Sequence, residues 1–205
     1  MSVRILPAGD AAVLVEVSDL REAGRLHAAL RREVPPGVLD LVPATRSVLV
    51  TVDRTRTDPD TVAAAIRALT PADDDVPAPG DLVEIPTRYD GPDLAEVATR
   101  TGLTADDVVR RHGGTDWTVA FCGFAPGFAY LTGGDAALRV PRRDTPRTAV
   151  PAGSVGLADG FTGAYPRRMP GGWQLIGRTD AVLWDLARDP PALLPPGTRV
   201  RFVPA

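Results

Sequence analysis

The sequence predicts a small α+β domain followed by a larger, mainly-β domain. Residues 1 to 75 alternate strand-like and helix-like patterns, whereas after Trp117 short Val, Leu and aromatic runs alternate with Gly-Pro turns. The second rhythm is typical of a compact β-barrel or β-sandwich. A chain of 205 residues is long enough for one large domain or two small ones.

The first part is predicted to contain two strands, a helix, two more strands and a second helix. A turn over residues 7–10 separates the first two strands. Ser18 or Asp19 is positioned to cap the first helix, and Asp58 followed by Pro59 marks the start of the second. This order of elements suggests a ferredoxin-like α+β layer.

A polar, Pro-rich stretch over residues 70–80 has no periodicity and marks the domain boundary. We place the linker at residues 76–80 and the second domain at 81–205. That domain is predicted to open with the strand DLVEIPTRY and to continue with two helices. Thr104 caps the second of these helices, with Asp107 three residues later as in a capping box.

Composition excludes several classes of protein. The net charge of −3 and the pI near 5.4 argue against a nucleic-acid partner or an anionic membrane surface. No segment approaches the roughly 20 apolar residues of a membrane span, and the N-terminus lacks a signal-peptide pattern. We therefore expect a cytoplasmic protein. The single cysteine, Cys122, excludes an internal disulfide and a Cys-rich metal site, and we predict no metal site.

The absence of two residue types narrows the chemistry further. The chain has no Lys and no Asn, so a phosphate-binding lysine, a Schiff base and a Cys–His–Asn site are all excluded. Every fixed positive charge is an arginine, which stays protonated and binds carboxylate or phosphate through a planar fork.

Three Gly- and Pro-rich segments carry the candidate chemistry: FCGFAPGFAYL, PRRDTPRTAVPAGSVG and TGAYPRRMPGGWQLIGRTD. A barrel would gather such connections at one end, where binding sites often lie. The aromatic residues of the first segment are either core at a barrel corner or the wall of a pocket. The glycines of PAGSVG suggest a backbone anion nest. Arg142, Arg147 and Arg178 suit a carboxylate or phosphate, whereas Arg143 resembles a solvated surface charge.

His112 has two interpretations. It follows the helical run VVRR, where a cation stabilises the helix C-terminus, and it is also one of only two histidines able to act as an acid or base.

Together, GFAPGFAYL, PRRDTPRTAVPAGSVGLA, TGAYP and PGGWQLIGRT resemble the B-type subunit of the prokaryotic ATP-dependent 5-oxoprolinase. The same family carries the label allophanate hydrolase subunit 1 and includes the sporulation kinase inhibitor KipI. The motifs cover roughly residues 112 to 180, and the N-terminal half carries little signature.

The resemblance implies a cyclophilin-like β-barrel after the small domain. It also implies a component of a hydrolase that opens the lactam of 5-oxo-L-proline to L-glutamate with hydrolysis of ATP, with Mg²⁺ expected alongside the nucleotide. The implied partners are the C-type subunit of 5-oxoprolinase, which belongs to the allophanate hydrolase subunit 2 family, and the A-type subunit. We expect this chain to be inactive alone, because a partner completes the site.

The motifs also suggest roles for particular residues. His112, Arg147 and Arg178 are the candidate catalytic residues, with the arginines binding an anion. The candidate residues for binding substrate or nucleotide are Phe124, Pro126, Gly127, Phe128, Tyr130, Gly153, Ser154, Thr162, Tyr165, Gly171, Gly172, Trp173 and Thr179.

Two positions depart from the family pattern. Phe161 stands where a Gln is common and Met169 where a Ser is common. If those positions touch ligand, this pocket is more apolar than its relatives. The alternative functions are a KipI-like inhibitor that binds a sensor histidine kinase without catalysis and, on fold analogy alone, a prolyl isomerase.

Overall fold

The computed structural model describes residues 3–69 and 80–205. Contacts within the chain divide it into two compact units, Met1–Ala78 and Pro79–Ala205. Residues 70–79, which hold most of the predicted boundary and linker, lie outside the described residues. Within the described ranges, no helix is both long and apolar enough to cross a bilayer.

The first unit is one four-stranded antiparallel sheet with two helices. The strands follow the order β1-β2-β4-β3. The elements are β1 (Arg4–Pro7), β2 (Ala12–Glu16), α1 (Leu20–Arg32), β3 (Val38–Pro43), β4 (Ser47–Val52) and α2 (Pro59–Ala68). This ββαββα order differs from the βαββαβ order of a ferredoxin-like domain, so that predicted topology is wrong. The reason is local: a short turn, not a helix, joins the first two strands.

Local signals explain where these helices begin. The Asp19 carboxylate accepts the Glu22 N–H at 2.8 Å, and the Asp58 carboxylate accepts the Thr61 N–H at 2.8 Å. The helices cover one face of the sheet, where Val50 of β4 and Leu26 of α1 are fully buried. Alternation along the strands leaves the other positions facing away from this core.

The second unit is a mixed sheet of seven strands in the order β12-β9-β10-β7-β6-β13-β5, with a two-stranded ribbon, β11-β8. The elements before the ribbon are β5 (Leu82–Thr87), α3 (Leu94–Thr101), α4 (Ala105–Gly113), β6 (Trp117–Cys122) and β7 (Ala129–Thr132). Those from the ribbon onward are β8 (Arg147–Val150), β9 (Ser154–Ala158), β10 (Phe161–Ala164), β11 (Met169–Gly171), β12 (Gln174–Arg178) and β13 (Arg199–Pro204).

The segment that follows β5 nearly closes this sheet into a barrel. Arg88 and Arg178 exchange two backbone hydrogen bonds of 2.8 Å, which join the end of β5 to the end of β12. Further along, the Gly91 N–H donates to the Ile176 carbonyl at 3.2 Å and the Asp93 N–H to the Leu175 carbonyl at 2.9 Å. The two edge strands are thereby connected, which protects their unpaired backbone groups. The prediction of a small α+β domain plus a mainly-β, cyclophilin-like barrel is confirmed.

Alternate residues of the barrel strands form two separate cores. One core fills the barrel interior and receives side chains from all seven strands, for example Leu131 of β7 and Ile176 of β12. The other lies on the outer face of the sheet and includes Tyr130 and Leu175, which are the sequence neighbours of those two residues. We call this second core, with Phe121 and Phe161, the outer aromatic layer. The ribbon contributes Val150 and Met169 to it.

The close approach at Gly91 generates a stability prediction. A Cβ at this position would lie 2.3 Å from the Ile176 carbonyl carbon, so Gly91→Ala must push the closing segment away from β12. We expect a loss of about 1–3 kcal/mol in the free energy of unfolding, measured by urea denaturation.

The matched control is Gly160→Ala, because a Cβ there meets nothing within 4 Å. It should change stability by less than about 0.5 kcal/mol. Equal effects of the two substitutions would contradict the proposed barrel closure.

Candidate active site

His112 lies in the barrel interior, away from solvent. Its side chain is fully buried, with its ring 4.5 Å from the ring of Phe202 and 5.3 Å from that of Trp117. Nδ1 is 2.9 Å from the Tyr89 hydroxyl, and Nε2 is 2.8 Å from the Thr162 hydroxyl. Both ring nitrogens therefore have partners within the protein.

The Gly156 carbonyl, which can only accept, fixes the directions of these hydrogen bonds. The Thr162 hydroxyl donates to the Gly156 carbonyl at 3.0 Å, so it accepts from His112, which must then carry its proton on Nε2. Nδ1 accepts from the Tyr89 hydroxyl. Burial lowers the pKa of His112 to about 3. A neutral, fully paired imidazole suits the barrel interior and is poorly placed to exchange protons with a ligand.

The outer aromatic layer brings together several of the predicted pocket residues. Phe128 lies 5.1 Å from Tyr165, 5.1 Å from Tyr130 and 5.3 Å from Trp173, measured between ring centroids. Most of these contacts are edge-to-face, which is the favoured arrangement of aromatic pairs. The rings thus form one continuous packed layer over the sheet, in which Phe128, Tyr165 and Trp173 are buried and Tyr130 is half-buried.

Glycines make room for this layer. A Cβ at Gly163 would lie 3.2 Å from the Trp173 ring, and one at Gly171 would lie 2.3 Å from the Tyr165 hydroxyl oxygen. At Gly172 a Cβ would lie 3.4 Å from an Arg142 guanidinium nitrogen. Gly171 and Gly172, two of the predicted binding glycines, therefore admit neighbouring side chains close to the backbone.

The two departures from the family pattern both belong to the layer. Phe161 is half-buried and lies 5.8 Å from Tyr130, and Met169 is almost fully buried. The layer is accordingly apolar at both positions.

The turn of GFAPGF projects Phe124 outward. Phe124 has a left-handed backbone with φ of 69° and keeps 58% of its surface exposed, while Pro126 is also exposed. Gly127 adopts φ of 81° and is buried. A Cβ at this position would lie 2.8 Å from Trp184 Cβ, so both the backbone conformation and the space favour glycine. The turn therefore supplies an exposed aromatic ring beside the layer, 5.6 Å from Phe128.

A buried carboxylate, Asp93, organises the arginines beside the layer. Asp93 Oδ1 accepts from Arg143 at 3.0 Å and from Arg147 at 2.6 Å, while Oδ2 accepts the Leu175 N–H at 2.7 Å. The Asp93 side chain is only 5% exposed. Two guanidinium groups face one carboxylate, so this triad carries one positive charge.

A cleft of about 500 Å³ holds four of the predicted residues. Its lining includes Arg147, Ser154, Arg178 and Thr179, with Asp90 and Asp180 at its rim. Arg178 pairs with Asp90 at 2.8 Å, and both side chains are about half exposed. The hydroxyl of Thr179 accepts the Ala181 N–H at 3.1 Å.

The predicted anion nest in PAGSVG is wrong for two of its amides. The Gly153 N–H donates to the Tyr165 carbonyl at 2.7 Å, and the Ser154 N–H donates to the Pro151 carbonyl at 3.4 Å. Gly153 adopts φ of 78°, and a Cβ there would lie 2.1 Å from the Thr179 carbonyl oxygen. Its function is to let these two loops approach each other.

The predicted residues thus separate into three places. His112 and Thr162 lie in the interior, and Arg147, Ser154, Arg178 and Thr179 meet in the cleft. The aromatic residues form the outer layer. Arg147 adjoins both the cleft and the layer, because its guanidinium also donates to the Trp173 carbonyl at 3.4 Å.

Sequence reasoning missed Asp93 and misjudged Arg143. Asp93 precedes a helix, so its type and position suggest an N-cap, yet its side chain makes no capping hydrogen bond. Its partners are 50, 54 and 82 residues away along the chain. In the described ranges there is no group of three metal-ligating side chains.

Comparison with known proteins places this arrangement in a family. The model of the carboxyltransferase domain, subdomain C and D, matches residues 3–194. The chain belongs to this family. Over 126 residues it is 52% identical to the B-type subunit of 5-oxoprolinase from Escherichia coli O157:H7, covering 60% of this chain and 58% of that protein. The corresponding protein of Bacillus subtilis is 46% identical over 125 residues, covering 60% and 52%. The resemblance to this 5-oxoprolinase component is therefore confirmed, although the chain spans less than two-thirds of these relatives' length.

Solved structures share the fold. A crystal structure of TTHA0988 is 38% identical with a TM-score of 0.78, covering 95% of this chain and 40% of that chain. PH0987 from Pyrococcus horikoshii is 37% identical with a TM-score of 0.59, covering 98% and 97%. Urea carboxylase of Kluyveromyces lactis is 20% identical with a TM-score of 0.74, covering 99% of this chain and 22% of that chain, which is a likeness of fold alone.

The burial of His112 predicts a pH dependence of stability. The unfolded chain binds a proton at this histidine below pH about 6.5, whereas the folded chain does so only near pH 3. Acidification from pH 6.5 therefore favours the unfolded state. At pH 5 this one group should lower the free energy of unfolding by about 2 kcal/mol. The ring ¹⁵N shifts should report the neutral Nε2–H form from pH 7 to pH 4, and a titration near pH 6.5 would contradict this assignment.

The Asp93 triad predicts a loss of stability on removal of the charge. Asp93→Asn leaves two guanidinium groups without their carboxylate. We expect a loss of about 3 kcal/mol, the low end for a broken buried pair, because Arg143 and Arg147 stay 35% and 23% exposed. Urea denaturation provides the measurement. Asp144→Asn in the same loop is the control, since this side chain is exposed, and a similar loss in both variants would refute the role of Asp93.

Proposed function

We propose that this chain is one component of an ATP-dependent 5-oxoprolinase that converts 5-oxo-L-proline to L-glutamate. The observation that carries the proposal is the cleft in which Arg147, Ser154, Arg178 and Thr179 converge next to the outer aromatic layer. The names of relatives at 45–52% identity provide independent support.

The proposed reaction requires correct positioning of the reactants more than a nucleophilic side chain. A lactam is a poor electrophile, so ATP is expected to phosphorylate the amide oxygen before water attacks. Such a transfer depends on holding the two reactants in line and on neutralising phosphate charge. Arginine forks and hydroxyl donors supply both functions.

In this proposal the cleft binds the phosphates. The Arg147 guanidinium is fixed by Asp93, which reduces the entropy lost when it binds an anion. The surplus positive charge of the triad with Arg143 favours a phosphate group in a chain of net charge −3. Arg178 exchanges its partner Asp90 for the ligand, as its half-exposed ion pair permits. Ser154 and Thr179 contribute hydroxyl groups from the cleft lining.

The described residues do not provide a dedicated magnesium site. The carboxylates at the cleft rim, Asp90 and Asp180, are already paired with Arg178 and Arg88. Mg²⁺ usually binds through one or two carboxylates together with substrate phosphates. We therefore assign no magnesium ligand to this chain and no step to the ion.

His112 has a structural function in this proposal. Its two nitrogens are engaged by Tyr89 and Thr162, so it holds the barrel interior in register beneath the outer layer. The acid and base of the reaction would then come from a partner protein or from water.

The proposed partners are the C-type and A-type subunits of the same enzyme. The relatives are named as one lettered component of 5-oxoprolinase, which implies an assembly. This chain also aligns with only 40% of TTHA0988, so the equivalent region of that protein is accompanied by further polypeptide. An exposed cleft rim, with the Asp180 side chain 91% exposed, suits a site that a partner completes.

The test is 5-oxoproline-dependent release of ADP by the chain alone and after mixing with its presumptive partners. We expect activity only in the mixture. Arg147→Ala and Arg178→Ala should each reduce kcat/KM by at least about tenfold, since each removes a charged hydrogen-bond donor worth about 1.5–3 kcal/mol. Arg100→Ala is the control, because that side chain pairs with Glu96 on helix α3 outside the cleft.

A mixture of correctly folded components that releases no ADP would refute the substrate assignment. Binding to the dimerisation domain of a sensor histidine kinase would then be measured, since affinity there would favour a KipI-like inhibitor.

A further inference from the structure

Three arginines in one loop have different surroundings. Arg143 and Arg147 both bind Asp93, whereas Arg142 has no carboxylate partner among the described residues. Arg142 is instead placed against the outer aromatic layer, close enough to Gly172 that a Cβ there would touch its guanidinium at 3.4 Å. It is exposed to solvent on its other side. Arg142 is therefore a permanently charged, solvent-exposed group that is available to a ligand.

Two tyrosines adjoin residues 171–173, against which Arg142 lies. A Cβ at Gly171 would lie 2.3 Å from the Tyr165 hydroxyl oxygen, and the Tyr130 ring lies 5.5 Å from the Trp173 ring. Burial raises the pKa of Tyr130 and of Tyr165, and the nearby Arg142 charge lowers both in part. Both phenols are consequently protonated at neutral pH and can donate a hydrogen bond. Tyr165 is only 1% exposed and belongs to the packed part of the layer, whereas Tyr130 is half-buried and reaches solvent. Within residues 3–69 and 80–205 the Tyr130 hydroxyl has no hydrogen-bond partner.

A ring-sized apolar surface lies beside these donors. Tyr130 stacks on Phe121 with ring centroids 4.5 Å apart and planes 17° apart, and Phe161 meets both rings edge-on. Tyr130 and Phe161 are only half-buried, so this surface remains accessible. Phe161 contributes an apolar ring to this surface. Such a surface accepts the ring of a small molecule.

We propose that Arg142, with the hydroxyl of Tyr130, binds the carboxylate of a small cyclic acid whose ring rests on Tyr130 and Phe161. A guanidinium binds a carboxylate through two parallel hydrogen bonds, and these strengthen where apolar groups exclude water. Arg147 lines the cleft that is proposed to bind phosphate, so the carboxylate is assigned to Arg142, which lies beside the accessible rings.

The identity of the acid as 5-oxo-L-proline rests on the proposed function. The arginines then have different functions. Arg142 determines specificity for the substrate carboxylate, and Arg147 and Arg178 bind phosphate. The lactam would lie between them, since Arg147 borders both the layer and the cleft.

The experiment is calorimetric titration of the chain with 5-oxo-L-proline and with 2-pyrrolidinone, which is the same lactam without the carboxylate. We expect 5-oxo-L-proline to bind at least about tenfold more tightly, and Arg142→Gln to remove that difference. Arg139→Gln is the matched control, because Arg139 is three residues away and exposed. Tyr130→Phe should weaken binding of the acid without weakening binding of 2-pyrrolidinone.

Unchanged affinity of Arg142→Gln for the acid, or equal binding of the two lactams, would overturn the proposal. If 5-oxo-L-proline does not bind, titration with benzoate and L-proline tests the carboxylate subsite separately from the identity of the substrate. Arg142-dependent binding of either acid would support the subsite and refute the substrate.

If no acid binds the isolated chain, the KM of the reconstituted complex for 5-oxoproline tests whether Arg142 forms the subsite. An Arg142→Gln complex with a raised KM for 5-oxoproline supports the subsite, and one with unchanged KM refutes it while the proposed function stands. A complex without activity, together with no binding of any acid, refutes both.

Discussion

The buried carboxylate of Asp93 is the constraint on which both the barrel and its candidate site depend. Through the backbone, Asp93 closes the sheet against Leu175, and through its side chain it fixes Arg143 and Arg147. An unpaired carboxylate at this depth would cost several kcal/mol, so the arginines must accompany it. The same interaction that closes the sheet therefore also places a guanidinium at the edge of the cleft.

The two faces of the sheet have different functions. Inside, Tyr89, His112 and Thr162 form a hydrogen-bonded chain that ends on a backbone carbonyl, so its groups are satisfied and inert. Outside, the Tyr130 hydroxyl and the Arg142 guanidinium lie beside aromatic rings without carboxylate partners in the part of the chain described. Unsatisfied donors next to an apolar surface are what a ligand site requires.

Local sequence signals predicted the helices well, because caps such as Asp19, Asp58 and Thr104 act on residues three positions away. The ferredoxin-like topology was wrong because a short turn, and not a helix, joins the first two strands. The residues of the cleft were identified by family motifs, whereas Asp93 was missed because its partners are far away in sequence. The burial of Thr162 follows from period-two alternation along β10, in which Phe161 faces outward. His112, in the last turn of α4, hydrogen-bonds to that inward-facing hydroxyl and is fully buried.

The central claim is that ligand binds the outer face of the barrel and not its interior. The most direct measurement is a crystal structure of the chain, alone or with its partner, soaked with 5-oxo-L-proline. We expect density for the ring over Tyr130 and Phe161, with the carboxylate oxygens within about 3 Å of the Arg142 guanidinium. Density for the ligand in the barrel interior beside His112, or on a surface remote from the aromatic layer, would contradict it.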